Sequence, residues 1–105
     1  MSLKLIYMTA ADEDEALRIA GTLVEERLIA CANVMGTIKS VYRWEGAVQN
    51  GQEIAVLLKT RADLVETAIE RAAGLHSYDC PCLVVLDTTG GHAPFLDWVE
   101  TETTD

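Results

Sequence analysis

The chain has 105 residues and a formal net charge of −9, from 17 acidic and 8 basic residues. This length is typical of one domain, so we expect residues 1–105 to fold around a single core. Nucleic-acid binding is disfavoured, because phosphate recognition depends on clustered Lys and Arg. Binding to an anionic membrane surface is disfavoured for the same reason.

The longest apolar runs, such as Ile54–Leu58, have the length of strands and fall far short of the roughly 20 residues that a membrane helix needs. Residues Met1–Thr9 are too short for a secretory signal peptide. The cysteines Cys31, Cys80 and Cys82 are odd in number and lack the spacing of a disulfide framework. We therefore expect a cytoplasmic protein with reduced thiols.

The first third of the chain predicts a strand followed by a helix. Leu3–Thr9 is a short apolar run with the length of a buried strand. Asp12 and Glu15 resemble a capping box, and apolar residues then recur at helical spacing to about Leu28. The predicted helix therefore begins near Asp12.

The middle of the chain predicts a long β-hairpin. Ala30–Val48 is rich in β-branched and aromatic residues, and Gly36 within it indicates a bulge or bend. Asn50-Gly51 is the strongest local hairpin signal, so Gln52–Thr60 is predicted to be the returning strand. The turn is therefore expected at Asn50-Gly51.

The remainder predicts a second helix, a fourth strand and a short third helix. Leu64–Ala72 carries a helical apolar stripe, and Gly74 is expected to end that helix. Cys80–Asp87 is predicted to be a strand, and Pro94 opens the last helix. The tail Thr101–Asp105 is expected to fray.

The order βαββαβ plus a C-terminal helix predicts an α+β, ferredoxin-like fold with an antiparallel sheet. Right-handed crossovers place strand one between strands three and four. Thr37–Gln49 alone would extend about 40 Å at roughly 3.3 Å per residue, so the hairpin must overhang the short strand one. An apolar overhang is an aggregation hazard. We therefore expect the hairpins to pair between subunits in a closed ring.

Several segments, in matching order across the chain, resemble the CutA divalent-cation tolerance family. They are Ala30-Cys31-Ala32-Asn33, Tyr42-Arg43-Trp44-Glu45-Gly46, Lys59-Thr60, His76-Ser77-Tyr78-Asp79-Cys80-Pro81 and Phe95-Leu96-Asp97-Trp98. The resemblance implies a homotrimer linked to copper and other divalent ions, with no required cofactor and no enzymatic activity. It also implies that Cys31 and His76 are candidate metal ligands, although both residue types are also common in purely structural roles.

Cys80 and Cys82 lie two residues apart on the predicted fourth strand and would face the same side. Two thiolates on one face suit Cu(I) or another soft ion. Met8, near the end of strand one, would add a thioether beside them. The alternative is that these residues only pack in the core, because Cys is among the most often buried residues.

Either the trimer interface itself or a ligand cleft between subunits is predicted at Tyr42, Arg43, Trp44 and Glu45. Trp98 is assigned to the same interface or cleft. A second function, a small-molecule sensor similar to PII-type signalling trimers, shares the fold and such a cleft. A hydrolase similar to acylphosphatase is disfavoured, because the loop after strand one is acidic and would repel a phosphate.

Overall fold

The computed structural model describes residues 3–103, so residues 1–2 and 104–105 of the predicted domain lie outside it. The strands are β1 (Leu3–Ala10), β2 (Cys31–Trp44), β3 (Ala47–Arg61) and β4 (Leu83–Asp87); the helices are α1 (Glu13–Glu25), α2 (Val65–Leu75) and α3 (Ala93–Glu102). A 3-10 turn, Ala62–Leu64, precedes α2. The sheet order is β2-β3-β1-β4 with every neighbouring pair antiparallel. The predicted ferredoxin-like topology is confirmed.

Helices α1 and α2 cover one face of the sheet. Alternate β1 residues Ile6, Met8 and Ala10 point towards them, because successive side chains of a strand face opposite sides. Ile19 and Leu23 of α1 are fully buried against this face. Burying a side chain of this size contributes about 1.5–3 kcal/mol. The main core therefore lies between the sheet and these two helices.

The opposite face of the sheet is only partly covered. Leu3, Ala30 and Val99 form a small second cluster, through which α3 packs near the start of β1. Farther along this face Val84 and Leu86 remain 52% and 43% exposed on the edge strand β4.

No helix within residues 3–103 is long and apolar enough to cross a membrane.

The hairpin turn lies at Glu45-Gly46, so the prediction of a turn at Asn50-Gly51 is wrong. Trp44 pairs with Ala47, which leaves two residues in the turn. Glu45 has φ 50° and Gly46 has φ 81°, and two positive φ values in a two-residue loop are the mark of a type I′ turn. Asn50-Gly51 instead lies within β3, where Gly51 is paired with Ser40.

The predicted irregularity at Gly36 is confirmed. The β2–β3 register shifts between Val34 and Thr37, and Gly36 has φ 94°, a left-handed conformation that favours glycine. Beyond this bulge β2 and β3 pair only with each other, because the last β1 pair is Ala10 with Ile54. The predicted overhang of the hairpin is therefore present.

Three element boundaries differ from the predictions. Strand β4 begins at Leu83 rather than at Cys80, and α2 continues through Gly74 to Leu75. The tail predicted to fray is helical as far as Glu102. Thr103 Oγ1 then donates to the Val99 carbonyl at 2.8 Å, which fixes the end of α3. The rest of that tail lies outside the described residues.

Glu15 ties the start of α1 to the segment after α2. Asp12 caps the helix by accepting from the Glu15 N–H at 2.8 Å, as the capping box predicts. The buried Glu15 carboxylate accepts from the N–H groups of Ala11 at 3.0 Å and Ser77 at 2.7 Å. Burial raises the pKa of Glu15, but these hydrogen bonds outweigh it and the net pKa is lowered.

Replacing Gly46 by Ala is expected to loosen the hairpin, because Ala at a positive φ costs about 1 kcal/mol or more. Amide hydrogen exchange within the overhang should become faster. Gly51→Ala is the matched control, since its added Cβ would lie 3.8 Å from the Tyr42 hydroxyl, an ordinary contact. If Gly51→Ala increased the exchange rate more than Gly46→Ala, the result would contradict a turn at Glu45-Gly46.

Glu15→Gln is expected to destabilise the protein at pH 7 by about 1–3 kcal/mol, because the side-chain amide leaves one buried N–H without an acceptor. A folded-state pKa below the ordinary 4.5 means that the ionised group stabilises the fold above pH 4.5. This contribution is lost as the pH falls through the folded-state value.

Urea unfolding at one fixed chain concentration measures this effect, because any association of chains would make stability depend on concentration. The free-energy difference between wild type and Glu15→Gln should shrink between pH 7 and pH 3. Glu13→Gln, at an exposed position of the same helix, is the control. A difference independent of pH would exclude the ionised carboxylate as its source.

Candidate functional site

A cleft of about 620 Å³ lies beneath the overhanging hairpin. This volume falls within the roughly 300–1,000 Å³ typical of small-molecule sites. Its walls come from the end of β1, from both strands of the hairpin and from the segment before β4. The lining includes Thr9, Ser40, Tyr42, Trp44, Glu53, Tyr78, Asp79, Cys80 and Cys82.

The Glu53 carboxylate connects the two sides of the cleft. It accepts from Ser40 Oγ at 2.6 Å and from the Tyr78 hydroxyl at 3.0 Å. Burial, followed by the hydrogen bond and charge of Glu53, raises the pKa of Tyr78 to about 12. At neutral pH Tyr78 is therefore protonated and acts as the donor to Glu53.

Cys80 and Cys82 both line this cleft, as their predicted common orientation requires. They precede β4, so strand alternation is not what brings them together. Cys80 is exposed and Cys82 is half-buried. Burial and then the negative charge of Glu53 raise the pKa of the Cys82 thiol, while a hydrogen bond with Thr9 opposes this rise. Binding of a metal at Cys82 would therefore release a proton.

Met8 lies on the other face of the sheet from the cleft. Its side chain is fully buried in the core beneath α1 and α2, whereas the next residue, Thr9, lines the cleft. The predicted proximity of the Met8 thioether to the two thiols is therefore not found. The reason is the strand period of two, which sends Met8 and Thr9 to opposite sides.

The His76 side chain is completely buried and both of its nitrogens have partners. Nε2 lies 2.8 Å from the Thr9 carbonyl, and Nδ1 lies 3.1 Å from the Tyr78 N–H. A carbonyl can only accept and an N–H can only donate, so Nε2 carries the proton and Nδ1 accepts. Asp79, three residues farther along the chain, is not among these partners. Neither nitrogen is open to a metal ion in this arrangement.

Cys31 lies at the opposite end of the sheet from the cleft. It pairs with Lys59, while the cleft begins near Thr9, which pairs with Ala55. Lys59 and Ala55 are separated by roughly 13 Å of strand at about 3.3 Å per residue. Burial raises the pKa of the Cys31 thiol, and Lys59 partly opposes this effect.

The predicted ligands Met8, Cys31 and His76 therefore do not join Cys80 and Cys82. Across the part of the chain that the structure describes, no three His, Cys, Asp or Glu side chains come together as a metal-binding group. Within one chain the thiol chemistry of the cleft is limited to Cys80 and Cys82.

The predicted interface residues of the hairpin are exposed. Tyr42 and Trp44 line the cleft and are 48% and 58% exposed. Arg43 points to the other side of β2, and Glu45 lies in the turn rather than on the strand. Trp98, on α3, is 43% exposed and packs against the Phe95 ring at a centroid distance of 5.7 Å.

Glu53 is the main cleft residue that sequence reasoning missed. Its sequence position, next to the apolar Ile54–Leu58 run, resembles an ordinary polar strand end. One signal was present: a strand period of two places Glu53 on the face opposite to Ile54 and Val56. Its partners Ser40 and Tyr78 depend on the hairpin register and on the loop before β4, which local patterns do not give.

Comparison with known proteins identifies the family. Residues 4–102 match the family model described as CutA1 divalent ion tolerance protein. The chain is 38% identical over 100 residues to the divalent-cation tolerance protein CutA of Thermus thermophilus, covering 95% of this chain and 97% of that protein. It is 36% identical over 99 residues to the chloroplastic protein CutA of Arabidopsis thaliana, covering 94% of this chain but only 54% of that longer protein.

A solved structure agrees with these sequence matches. It is the structure of the periplasmic divalent cation tolerance protein CutA from Archaeoglobus fulgidus. The two chains superpose with a TM-score of 0.93 at 36% identity, covering 95% of this chain and 97% of the other. This chain therefore belongs to the CutA1 divalent ion tolerance protein family.

Proposed function

We propose that this protein works as a homotrimer in divalent-metal tolerance, and that the cleft binds copper as Cu(I) through Cys80 and Cys82. The observation that carries this proposal is the presence of two thiols in one cleft beneath the overhanging hairpin. The names of the Thermus and Archaeoglobus proteins connect those relatives with divalent cations. The role proposed here is binding rather than catalysis.

The overhang supports assembly. From Ile38 to Trp44 the hairpin has no third strand on either side among the described residues. Val41 and Val48 on it are 70% and 62% exposed. Open edges and exposed apolar side chains favour pairing with another copy, and a cyclic arrangement leaves no edge open. Three subunits are the number that the family resemblance implies.

The chemistry of the cleft supports a soft cation. Thiolates select Cu(I) over hard ions, and the carboxylates of Glu53 and Asp79 add negative charge to the same cleft. Two thiolates suffice for the low coordination numbers that Cu(I) accepts. A nucleotide-sensing role receives no such support, because the cleft lining contains no Lys, Arg or His among the described residues, and phosphate groups need such partners.

The raised pKa of the Cys82 thiol argues against a catalytic, nucleophilic cysteine. The pKa of Cys82 is raised by burial and by Glu53, whereas nucleophilic cysteines have lowered pKa values. We further propose a cytoplasmic location, which the three unpaired thiols favour. The words chloroplastic and periplasmic in the names of two relatives describe those proteins.

The first test is the molar mass by light scattering. Wild type is expected at three times the chain mass of 11.5 kDa. Val41→Lys should lower this mass, because a charge would be buried where hairpins pair. Leu17→Lys, at a 54% exposed position of α1, makes the same charge change away from the hairpin and should leave the mass unchanged. A monomeric wild type at micromolar concentration would exclude the trimer.

The second test is Cu(I) affinity under reducing conditions, measured by competition with a chromogenic Cu(I) chelator. Replacing both Cys80 and Cys82 by Ser should lower the affinity at least tenfold, because the thiolate ligands are removed. Cys31→Ser is the matched control and should retain wild-type affinity. Equal affinities for the double variant and the wild type would remove this thiol pair from the proposal.

A further inference from the structure

The Glu53 carboxylate of the cleft has no cationic partner in the described part of the chain. Glu53 accepts from two neutral hydroxyl groups, those of Ser40 and Tyr78. None of the ion pairs formed among residues 3–103 involves Glu53. The second carboxylate of the cleft, Asp79, is exposed at its edge. A half-buried carboxylate held in place by neutral donors is a site for an external cation.

Three aromatic side chains line the same cleft as this carboxylate. Tyr42 and Trp44 line it from the hairpin, and Tyr78 lines it from the segment before β4. The Tyr78 ring packs against the buried His76 ring at a centroid distance of 4.7 Å, which fixes its position. Aromatic faces attract organic cations through their quadrupole and also offer apolar contact. The cleft therefore combines a fixed negative charge with apolar walls.

We propose that this cleft binds a small organic ammonium ion, with the ammonium group at Glu53 and the carbon chain against Tyr42 and Trp44. The free hydrogen-bond capacity of the Glu53 carboxylate accepts the ammonium N–H groups, since an ionised carboxylate offers about four lone-pair positions. This site goes beyond the proposed copper role, because it depends on the carboxylate and the rings rather than on the thiols.

Other ligand classes fit these residues less well. A hard inorganic cation such as Ca²⁺ requires about six to eight oxygen ligands, and no acidic cluster of that kind exists within residues 3–103. An anion would be repelled by Glu53 and Asp79. A neutral apolar ligand would fill the walls but leave the Glu53 charge without a counterion. An alkylammonium ion satisfies both the charge and the apolar surface.

The test uses the assembled protein carrying Trp98→Phe, which leaves Trp44 as the single tryptophan of the sequence. Butylammonium chloride and the neutral isostere 1-butanol are titrated separately at constant ionic strength, with Trp44 fluorescence as the readout. Butylammonium should give a saturable change, and 1-butanol should bind at least tenfold more weakly. Equal binding of the two compounds would overturn the proposal, since the charge would then play no part.

Variants assign the binding to Glu53. Glu53→Gln should weaken butylammonium binding at least tenfold, while Glu70→Gln, which removes the same charge at an exposed position of α2, should not. If circular dichroism shows that Glu53→Gln is unfolded, Tyr42→Leu is used in its place. This variant should also weaken butylammonium binding. The Cys80→Ser, Cys82→Ser protein should retain ammonium binding. Unchanged affinity in folded Glu53→Gln, or in Tyr42→Leu where it is the probe used, would refute the site.

Discussion

The unequal lengths of the strands are the constraint on which the rest of this structure depends. Strand β1 ends at Ala10 opposite Ile54, while β2 and β3 continue to their turn at Glu45-Gly46. Beyond Ile54 there is no third strand and no helix above the pair within the described chain, so residues 41–50 are all exposed. The same projection creates the cleft, because the hairpin extends past the segment before β4.

The fold could be predicted well from the sequence because its signals act over short distances. The Asp12 cap, the Gly36 bulge and Pro94 at the start of α3 each have a local cause that the structure retains. The turn could not be predicted in this way. Asn50-Gly51 has the stronger local preference, but turn preferences contribute only about 1 kcal/mol. The register of a long strand pair, which depends on many cross-strand contacts, decides the position of the turn.

The candidate site could be predicted only in part. Cys80 and Cys82 do share one cleft, although they precede the strand that was expected to align them. The sequence could not exclude His76 as an open ligand, because the Thr9 carbonyl that contacts Nε2 is 67 residues away along the chain and only folding brings it near. Glu53 was missed for a related reason, since its importance comes from partners distant along the chain.

The bridge from Tyr78 through Glu53 to Ser40 joins the segment that carries the cysteines to the overhanging hairpin. The two parts belong to different elements, and the two hydrogen bonds to the Glu53 carboxylate hold them together. A ligand that shortens these hydrogen bonds would favour one position of the hairpin. If pairing of hairpins between subunits favours the same position, it would raise the affinity for the ligand by the same factor. In a trimer whose hairpins pair, ligand binding in the cleft and association of the subunits would therefore share one coupling free energy.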